Sequence, residues 1–394
     1  MHHRVLIVGG GAGGLTVAAR LRRAAAKLDV AVLDPADTHY YQPLWTLVGG
    51  GVVPKERSLR RQSDVMPKGV TWLRDSAVEL RPDERAVVTA SGRRVTYDAL
   101  VVACGIRLDW NAIPGLQEAL ATGAAHSIYG YEHAERTWEA IRSFDGGTAI
   151  FTMPPPPIKC AGAPQKIVYL ADEALRRRGV RERSQLIYAT ATPGIFSVPH
   201  YAPALQRVVA RKGIDARYRH ELLSVRPDAR EAVFRDHARE EDVVLAYDLL
   251  HAVPPQSPPD VVRDSPLADS AGWLEVDRHT LQNSRHPEVL ALGDASSLPT
   301  SKTAAAVRKQ APVLVHNLLR VLGERDGVPA KYDGYASCPL VTGYGKLILA
   351  EFDYDLAPRE TFPFDQRRER RSMYELKRHG LPALYWRGML AGRA

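Results

Sequence analysis

Apolar runs of strand length alternate with amphipathic helical stretches along most of the chain. Residues 4–8 form the first run; a glycine-rich turn, a helical pattern over residues 15–27 and a second apolar run at residues 30–33 follow. This alternation predicts an α/β fold with parallel sheets. Further strands are predicted at residues 70–73, 86–89, 100–105, 148–152, 185–190, 215–218, 273–276, 289–294 and 347–352, with helices at residues 131–144 and up to about residue 322.

The first turn carries the spacing G-x-G-x-x-G, with an acid twenty residues after its last glycine. In such a turn the first glycine permits the tight bend and the second lets the backbone approach a pyrophosphate. The third lets the helix pack closely on the strand, and the acid accepts hydrogen bonds from ribose hydroxyls. We therefore predict a dinucleotide site that includes Gly9, Gly11, Ala12, Gly14 and Asp34.

Composition indicates an ordinary globular protein. The chain has 394 residues, of which 45% are hydrophobic and 25% are charged, so it can form two or more domains. No apolar run reaches the roughly 18 residues of a membrane-spanning helix, and the first strand begins too early to leave room for a signal peptide. Three cysteines are too few for a disulfide scaffold.

The net charge of +8 is concentrated at the C-terminal end, where residues 367–394 contain eight Lys or Arg and two Glu. Aromatic and aliphatic residues interleave with these charges, which favours an anionic membrane surface over nucleic acid as the partner. Leu381, Leu384, Tyr385, Trp386 and Met389 are predicted to form one apolar helix face. That face has two interpretations, membrane contact or packing against the body of the protein.

The strand at residues 148–152 precedes an unusual connection. A second glycine fingerprint, which would hold NAD(P)H, is expected at this place, but the sequence has four prolines at residues 154–157 instead. Prolines lack the backbone N–H groups that a phosphate cradle requires. Cys160 stands near the start of the next predicted helix, whose dipole would stabilise a thiolate, and Lys166 adds positive charge.

Five segments resemble the sulfide:quinone oxidoreductases, especially the branch that includes the mitochondrial enzymes. They are YQPLWTLVG, IKCAGAPQK, PTSKTAAA, YASCPLVTGY and EFDY, which begin at residues 41, 158, 299, 335 and 351. The resemblance implies a glutathione-reductase-like fold with two Rossmann-like domains and a C-terminal quinone and membrane region. It also implies that FAD oxidises hydrogen sulfide through a cysteine pair and that a membrane quinone reoxidises the FAD.

The resemblance also implies roles for individual residues. Cys160 and Cys338 would be the redox pair, Lys166 and Lys302 would lie near the flavin, and Glu135 would relay protons. Cys104 is outside this pair and is predicted to be a buried core residue. The other residues predicted to contact the cofactor are Gln42, Gly105 and Asp294. No metal site is predicted.

The implied organisation has four segments. Residues 1–112 and 280–335 would form the FAD-binding domain, residues 113–279 a second Rossmann-like domain without an NAD(P)H fingerprint, and residues 336–394 the C-terminal region. We expect a peripheral membrane protein at the cytoplasmic face of the inner membrane. Glutathione, coenzyme A, sulfite, cyanide or sulfide itself could accept the sulfane sulfur. The oligomeric state stays open, with a homo-oligomer as one alternative.

Three other functions compete with this interpretation. A type II NADH:quinone oxidoreductase shares the fold but needs the second glycine fingerprint. A flavocytochrome-type sulfide dehydrogenase would pass electrons to a haem protein and would usually be exported. A flavin-binding redox sensor without turnover would use the basic tail as a docking surface.

Overall fold

Two sheets built mainly of parallel strands organise the chain, and the computed structural model describes all of residues 1–394. The strands are β1 (His2–Val8), β2 (Val30–Leu33), β3 (Thr38–Tyr40), β4 (Leu59–Arg61), β5 (Thr71–Leu73), β6 (Ala77–Arg81), β7 (Ala86–Thr89), β8 (Arg94–Val102), β9 (Arg107–Leu108), β10 (Gly147–Met153), β11 (Ser184–Thr190), β12 (Asp215–Tyr218), β13 (His220–Arg226), β14 (Glu231–Asp236), β15 (Glu241–Ala246), β16 (Leu249–His251), β17 (Gln256–Ser257), β18 (Val289–Ala291), β19 (Ala336–Gly343) and β20 (Lys346–Phe352). The helices are α1 (Ala12–Ala24), α2 (Trp45–Gly49), α3 (Gln62–Val65), α4 (Leu116–Thr122), α5 (Tyr131–Ser143), α6 (Ala163–Arg177), α7 (Ala202–Lys212), α8 (Asp260–Arg263), α9 (Ala304–Val321), α10 (Arg371–Glu375) and α11 (Leu381–Ala383).

The first sheet has the order β5-β2-β1-β8-β7-β6, and β18 also pairs with β8. Its centre is parallel and fully buried, as expected for strands with helices on both faces: Val5, Leu6 and Ile7 of β1 are all 0% exposed. The pairing of β18 with β8 is parallel and comes from a distant part of the chain. This pairing places the segment that begins at Gly293 at the same end of the strands as the glycine turn.

The second sheet has the order β12-β11-β10-β16 and is parallel throughout. An antiparallel sheet, β13-β14-β15, is joined to it along the chain. The hairpin β19-β20 packs against α6, which follows the central strand β10. This packing brings the C-terminal part of the chain to the connection between β10 and α6.

The C-terminal segment, residues 371–390, folds back onto the first domain. It contains α10, α11 and two π-helical stretches, Leu376–Gly380 and Leu384–Met389. Tyr385 and Met389 are buried in the main core, whereas Leu384 is 38% exposed. The predicted single apolar face is therefore divided between the body of the protein and solvent. No helix of the chain combines the length and apolar character required to span a bilayer.

Two expectations about secondary structure were wrong. Residues 273–276 do not form a strand; Leu274 makes only isolated bridges to Ala268 and Ser296, because this apolar stretch fills the core without a neighbouring strand. The first helix begins at Ala12 rather than Leu15 and ends at Ala24, because the glycine turn itself supplies its N-cap at Gly11. The strands β13–β15 were not predicted at all.

The glycine turn generates the first testable prediction. A Cβ atom at Gly14 would lie 1.8 Å from the carbonyl oxygen of Gly9. Gly14→Ala gains about 1 kcal/mol of helix propensity, but this overlap costs about 3 kcal/mol or more, so we expect a lower thermal unfolding midpoint. Gly194→Ala is the control, because its Cβ would also meet no atom within 4 Å and it lies outside the glycine turn, so the midpoint should be unchanged. Equal unfolding midpoints for the two variants would contradict the packing argument.

Candidate active site

The glycine turn has the geometry of a phosphate cradle. Gly9 has φ +104° and an added Cβ would lie 2.5 Å from the Ala103 carbonyl oxygen, so both conformation and space require glycine. A Cβ atom added to Gly11 would meet no other atom within 4 Å, so there is open space at the start of α1. The first turn of α1 contains no acid and Gly11 provides no side-chain cap, so its N–H groups are available to an anion. The turn therefore fits a dinucleotide.

Asp34 is placed beside this turn. One carboxylate oxygen accepts a hydrogen bond from the Gly10 N–H at 2.5 Å, and the other accepts from the Ala36 N–H at 2.8 Å. Ala12 is the first residue of α1. Gly105, just after β8, has φ +80° and also has open space where a side chain would start. A bulky ligand can approach the backbone at Gly11 and at Gly105.

Asp294 and Lys302 lie after β18. Burial raises the pKa of Asp294, against the opposing charges of Lys302 and Lys159. The ammonium of Lys302 donates to the carbonyl oxygens of Asp294 at 2.7 Å and Ser296 at 3.1 Å. It also lies 3.8 Å from the centre of the Trp273 ring, and burial lowers the pKa of Lys302 to about 8. Lys302 thus contributes a titratable positive charge that is tied to the Asp294 segment.

Gln42 faces the loop that contains Cys160. Its side-chain oxygen accepts a hydrogen bond from the Lys159 ammonium at 2.7 Å, and burial lowers the pKa of Lys159. Lys159 and Lys302 form a parallel bridge between their backbones. The loop before α6 is therefore joined to the segment before α9.

Hydrogen bonds of its backbone fix the position of Cys160. Its N–H donates to the Lys302 carbonyl oxygen at 2.9 Å, and its carbonyl oxygen accepts from Ala163 N at 2.7 Å and from the Tyr129 hydroxyl at 3.2 Å. Its φ of +49° lies in the left-handed region, which is uncommon for a residue other than glycine. Backbone strain of this kind occurs often at functional sites.

Cys338 reaches Cys160 from the middle of β19. It is 3% exposed and, like the other two cysteines, is a free thiol. A Cβ atom on Gly162, just before α6, would lie 2.4 Å from the Cys338 sulfur. Glycine at this position therefore allows the second sulfur to lie against the start of α6, beside the first.

The two thiols differ strongly in acidity. A hydrogen bond from Cys338 lowers the pKa of Cys160 well below its usual value; the charges of Lys166 and Lys377 act in the same direction and outweigh burial. The same hydrogen bond, together with burial, raises the pKa of Cys338 well above its usual value. Within the pair, negative charge is therefore favoured on the Cys160 sulfur and the proton on the Cys338 sulfur.

Lys166 is the charged partner of this thiolate. It is 1% exposed, and its ammonium lies 3.5 Å from the Cys160 sulfur. Burial opposes its charge, but the negative charge of the cysteine pair prevails and raises the pKa of Lys166. Charge on the lysine and charge on the sulfur stabilise each other.

Lys377 was missed by the sequence analysis, which assigned its charge to a membrane surface. It is buried, donates to the Pro43 carbonyl oxygen at 3.1 Å, and its charge acts on both cysteines. Burial and the charge of Lys166 lower the pKa of Lys377 to about 7. Lys377 lies in the first π-helical stretch, and such stretches often occur at functional sites. Only the structure reveals this stretch, so the sequence offered no such indication.

Two other predicted residues make no contact with the thiol pair. The carboxylate of Glu135 pairs with Lys55 at 2.8 Å and its side chain is 44% exposed. Cys104 lies next to the glycine turn, where burial raises its pKa to about 12, and it packs against the main core. The structure brings together Cys160, Cys338 and Lys166, with Lys302 linked through the backbone.

Comparison with known proteins gives four findings. Residues 3–145 match the family described as pyridine nucleotide-disulphide oxidoreductase. The chain is 47% identical to the mitochondrial sulfide:quinone oxidoreductase of Mus musculus over 99% of this chain and 87% of that protein. Its fold resembles the sulfide:quinone oxidoreductase of Aquifex aeolicus, with TM-score 0.84 and 18% identity over 99% of this chain and 92% of that one. It also resembles NDH2 of Plasmodium falciparum in complex with NADH, with TM-score 0.71 and 10% identity over 100% and 99%.

The unequal acidity of the two thiols can be measured directly. Iodoacetamide should label Cys160 at neutral pH far faster than Cys338 or Cys104, and labelling should fall only as the pH drops through the lowered pKa of Cys160. Lys166→Met removes a neighbouring positive charge and should move that midpoint upward by about 1–3 pH units. Lys346→Met, at a lysine that is 48% exposed, is the matched control and should change nothing. Peptide mass spectrometry at each pH gives the rates, and equal rates at all three cysteines would refute the assignment.

Proposed function

The chain belongs to the sulfide:quinone oxidoreductases, and on that basis we propose that its flavin is FAD and that Cys160 and Cys338 form its redox-active pair. The family assignment makes the chain a flavin-dependent oxidoreductase with sulfide as substrate and a quinone as electron acceptor. One observation carries the finer proposal: Cys160 and the buried ammonium of Lys166, both near the start of α6, are in contact with Cys338, which comes from the distant strand β19.

FAD is proposed rather than a mononucleotide because of the glycine turn. The open space at Gly11 and the free N–H groups of α1 suit a pyrophosphate, which FAD contains. Asp34 would contact the adenine-side ribose, while Gly105 and Asp294 would line the flavin side. Lys302 would lie near the flavin, where positive charge stabilises the reduced form. When bound, FAD supplies the two-electron oxidation that re-forms the disulfide, and it passes those electrons to quinone.

The proposed reaction begins with a Cys160–Cys338 disulfide. Hydrosulfide attacks the Cys338 sulfur, the S–S bond breaks, Cys338 becomes a persulfide and Cys160 leaves as a thiolate. The more acidic thiol is the better leaving group, and the lowered pKa assigns that part to Cys160. Lys166 stabilises the departing negative charge, and Lys377 adds to this effect when it is protonated, below a pH of about 7.

A nucleophilic acceptor then removes the outer sulfur from Cys338. Glutathione, coenzyme A, sulfite and sulfide are all acceptors of suitable chemistry, because each attacks sulfane sulfur through a sulfur atom. The attack breaks the S–S bond of the persulfide and releases Cys338 as a thiolate, which then takes up a proton because the pKa of Cys338 is raised. Glu135 is proposed only as a relay at the surface, where its partner is Lys55.

The NADH:quinone alternative fits the second domain poorly. Four prolines precede the Cys160 loop, and the start of α6 lies against the Cys338 sulfur through Gly162. In a dinucleotide site that helix start would bind phosphate. The division into an FAD-binding domain, a second Rossmann-like domain and a C-terminal region is proposed to follow the two sheets, with β18 returning to the first of them.

Membrane contact is proposed for the solvent-facing side of the C-terminal segment. Leu384 is exposed, and Arg371, in the same C-terminal segment, has a side chain that is 85% exposed. Basic residues gain about 1 kcal/mol each near an anionic leaflet, and an inserted apolar side chain strengthens the attachment. A quinone dissolved in the bilayer would enter from this side.

Substitution of the cysteines tests the redox pair. Cys160→Ser and Cys338→Ser should each abolish sulfide-dependent quinone reduction while the flavin stays bound, because no disulfide can form. Cys104→Ser is the matched control and should keep most of the activity. Steady-state assays and flavin absorbance provide the two readouts. A Cys338→Ser enzyme that turns over near the parent rate, or an inactive Cys104→Ser enzyme with bound flavin, would overturn the proposal.

The membrane contact is tested without truncation, since removal of the segment would also remove Lys377 and Tyr385 from their buried positions. Leu384→Asp should weaken co-sedimentation with anionic liposomes about tenfold or more, because a buried leucine contributes about 1.5–3 kcal/mol. The same variant should lose activity with a long-chain quinone but keep it with a water-soluble one. Val244→Asp, at an apolar residue of β15 that is 46% exposed, is the control. Unchanged co-sedimentation of Leu384→Asp would show that this side does not face a membrane.

A further inference from the structure

A basic cleft lies outside the site described above, between the end of α1, the middle of α9 and the loop that follows α9. Its volume is about 460 Å³, within the range of small-ligand sites. Its polar wall contains Arg20, Arg23, His316 and Arg325, and Pro312 and Val313 contribute an apolar part. No acidic residue lines it.

Two of the three arginines of this cleft lack an acidic side-chain partner. Arg23 and Arg325 form no ion pair, and Glu324, one of the two acids that flank Arg325 in the chain, is paired with Arg4 instead. The Arg20 guanidinium donates to a carboxylate oxygen of the last residue, Ala394, at 2.5 Å, and its Nε is buried without a hydrogen-bond partner. Burial, followed by repulsion from Arg23 and Arg308, lowers the pKa of Arg20.

Helix capping does not account for this arrangement. Arg23 lies in the last turn of α1, where a cation offsets the negative end of the helix dipole. Arg325, however, lies in the loop after α9, and its guanidinium donates to the His316 ring nitrogen at 3.2 Å. This bond holds Arg325 at the wall of the cleft, where its other N–H groups can bind an anion.

We propose that this cleft binds a ligand carrying a phosphate group, either the headgroup of an anionic phospholipid or a soluble phosphate ester. Guanidinium groups match the geometry of phosphate oxygens and form charge-assisted hydrogen bonds with them. Arg23 and Arg325 line the cleft and are placed to contact the phosphate from two sides. Pro312 and Val313 contact the carbon part of the ligand. The proposal uses none of the residues of the thiol site and is independent of the proposed function.

Two probes separate the possible sources of the phosphate, and both are titrated calorimetrically into the purified flavoprotein. Pyrophosphate represents the soluble ligand. Dihexanoyl phosphatidylglycerol, used below its micelle concentration, presents the lipid headgroup without a membrane, so contact of Leu384 with a bilayer cannot affect the result. The variant is the double substitution Arg23→Gln/Arg325→Gln, whose two positions are exposed and tolerate replacement. Arg207→Gln, at an exposed arginine of α7 without an ion pair, is the matched control.

We expect saturable binding of at least one probe to the parent protein, weakened about tenfold or more in the double variant and unchanged in the control. Binding of the lipid probe alone identifies a phospholipid headgroup, and binding of pyrophosphate alone identifies a soluble phosphate ester. Thermal unfolding of both variants verifies that the fold is intact. Absence of binding in both titrations, or equal binding by parent and double variant, would overturn the proposal.

Discussion

The ammonium of Lys166 is the charge around which the candidate site is built. It belongs to α6, whose next residues, Ile167 and Val168, are fully buried, and it is almost completely buried itself. An unpaired charge in such surroundings costs several kcal/mol, so the lysine requires an anion within reach. The Cys160 sulfur at 3.5 Å is that anion. The fold therefore favours a thiolate at Cys160 whenever the cysteine pair is reduced.

The two domains use one local design for different chemistry. In each, a central strand leads through a turn into a helix whose N-terminal end carries a partial positive charge. At Gly11 the space in front of the helix is open, which suits a phosphate; at Gly162 the same kind of space is filled by the Cys338 sulfur. A helix start that favours negative charge thus leaves room suited to a phosphate in one domain and lies against a sulfur pair in the other.

Sequence alone could predict the features that depend on neighbours along the chain. The strand β1, the glycine turn and β2 follow from an apolar run and a motif whose geometry is local. The nearness of Cys160 to Cys338 depends on the packing of β19 against α6, so only resemblance to a family suggested it. The strands β13–β15 were missed because charged residues interrupt their apolar pattern. Residues 273–276 were wrongly predicted to form a strand, because burial in the core, rather than strand pairing, explains their apolar character.

A count of the basic residues in the C-terminal segment could not show that the charge of Lys377 is buried at the site. This segment contacts both the glycine turn and the cysteine pair. The Tyr385 hydroxyl donates to His39 Nε2 at 2.5 Å, and His39 Nδ1 lies 3.1 Å from the Gly10 carbonyl oxygen, where burial lowers the pKa of His39 and keeps the ring neutral. Through these bonds the segment is fixed to the glycine turn. Through Lys377 it adds positive charge beside the thiols and bonds the Pro43 carbonyl. A displacement of this segment at its solvent-facing side, where Leu384 lies, would therefore change its contacts with both the glycine turn and the cysteine pair.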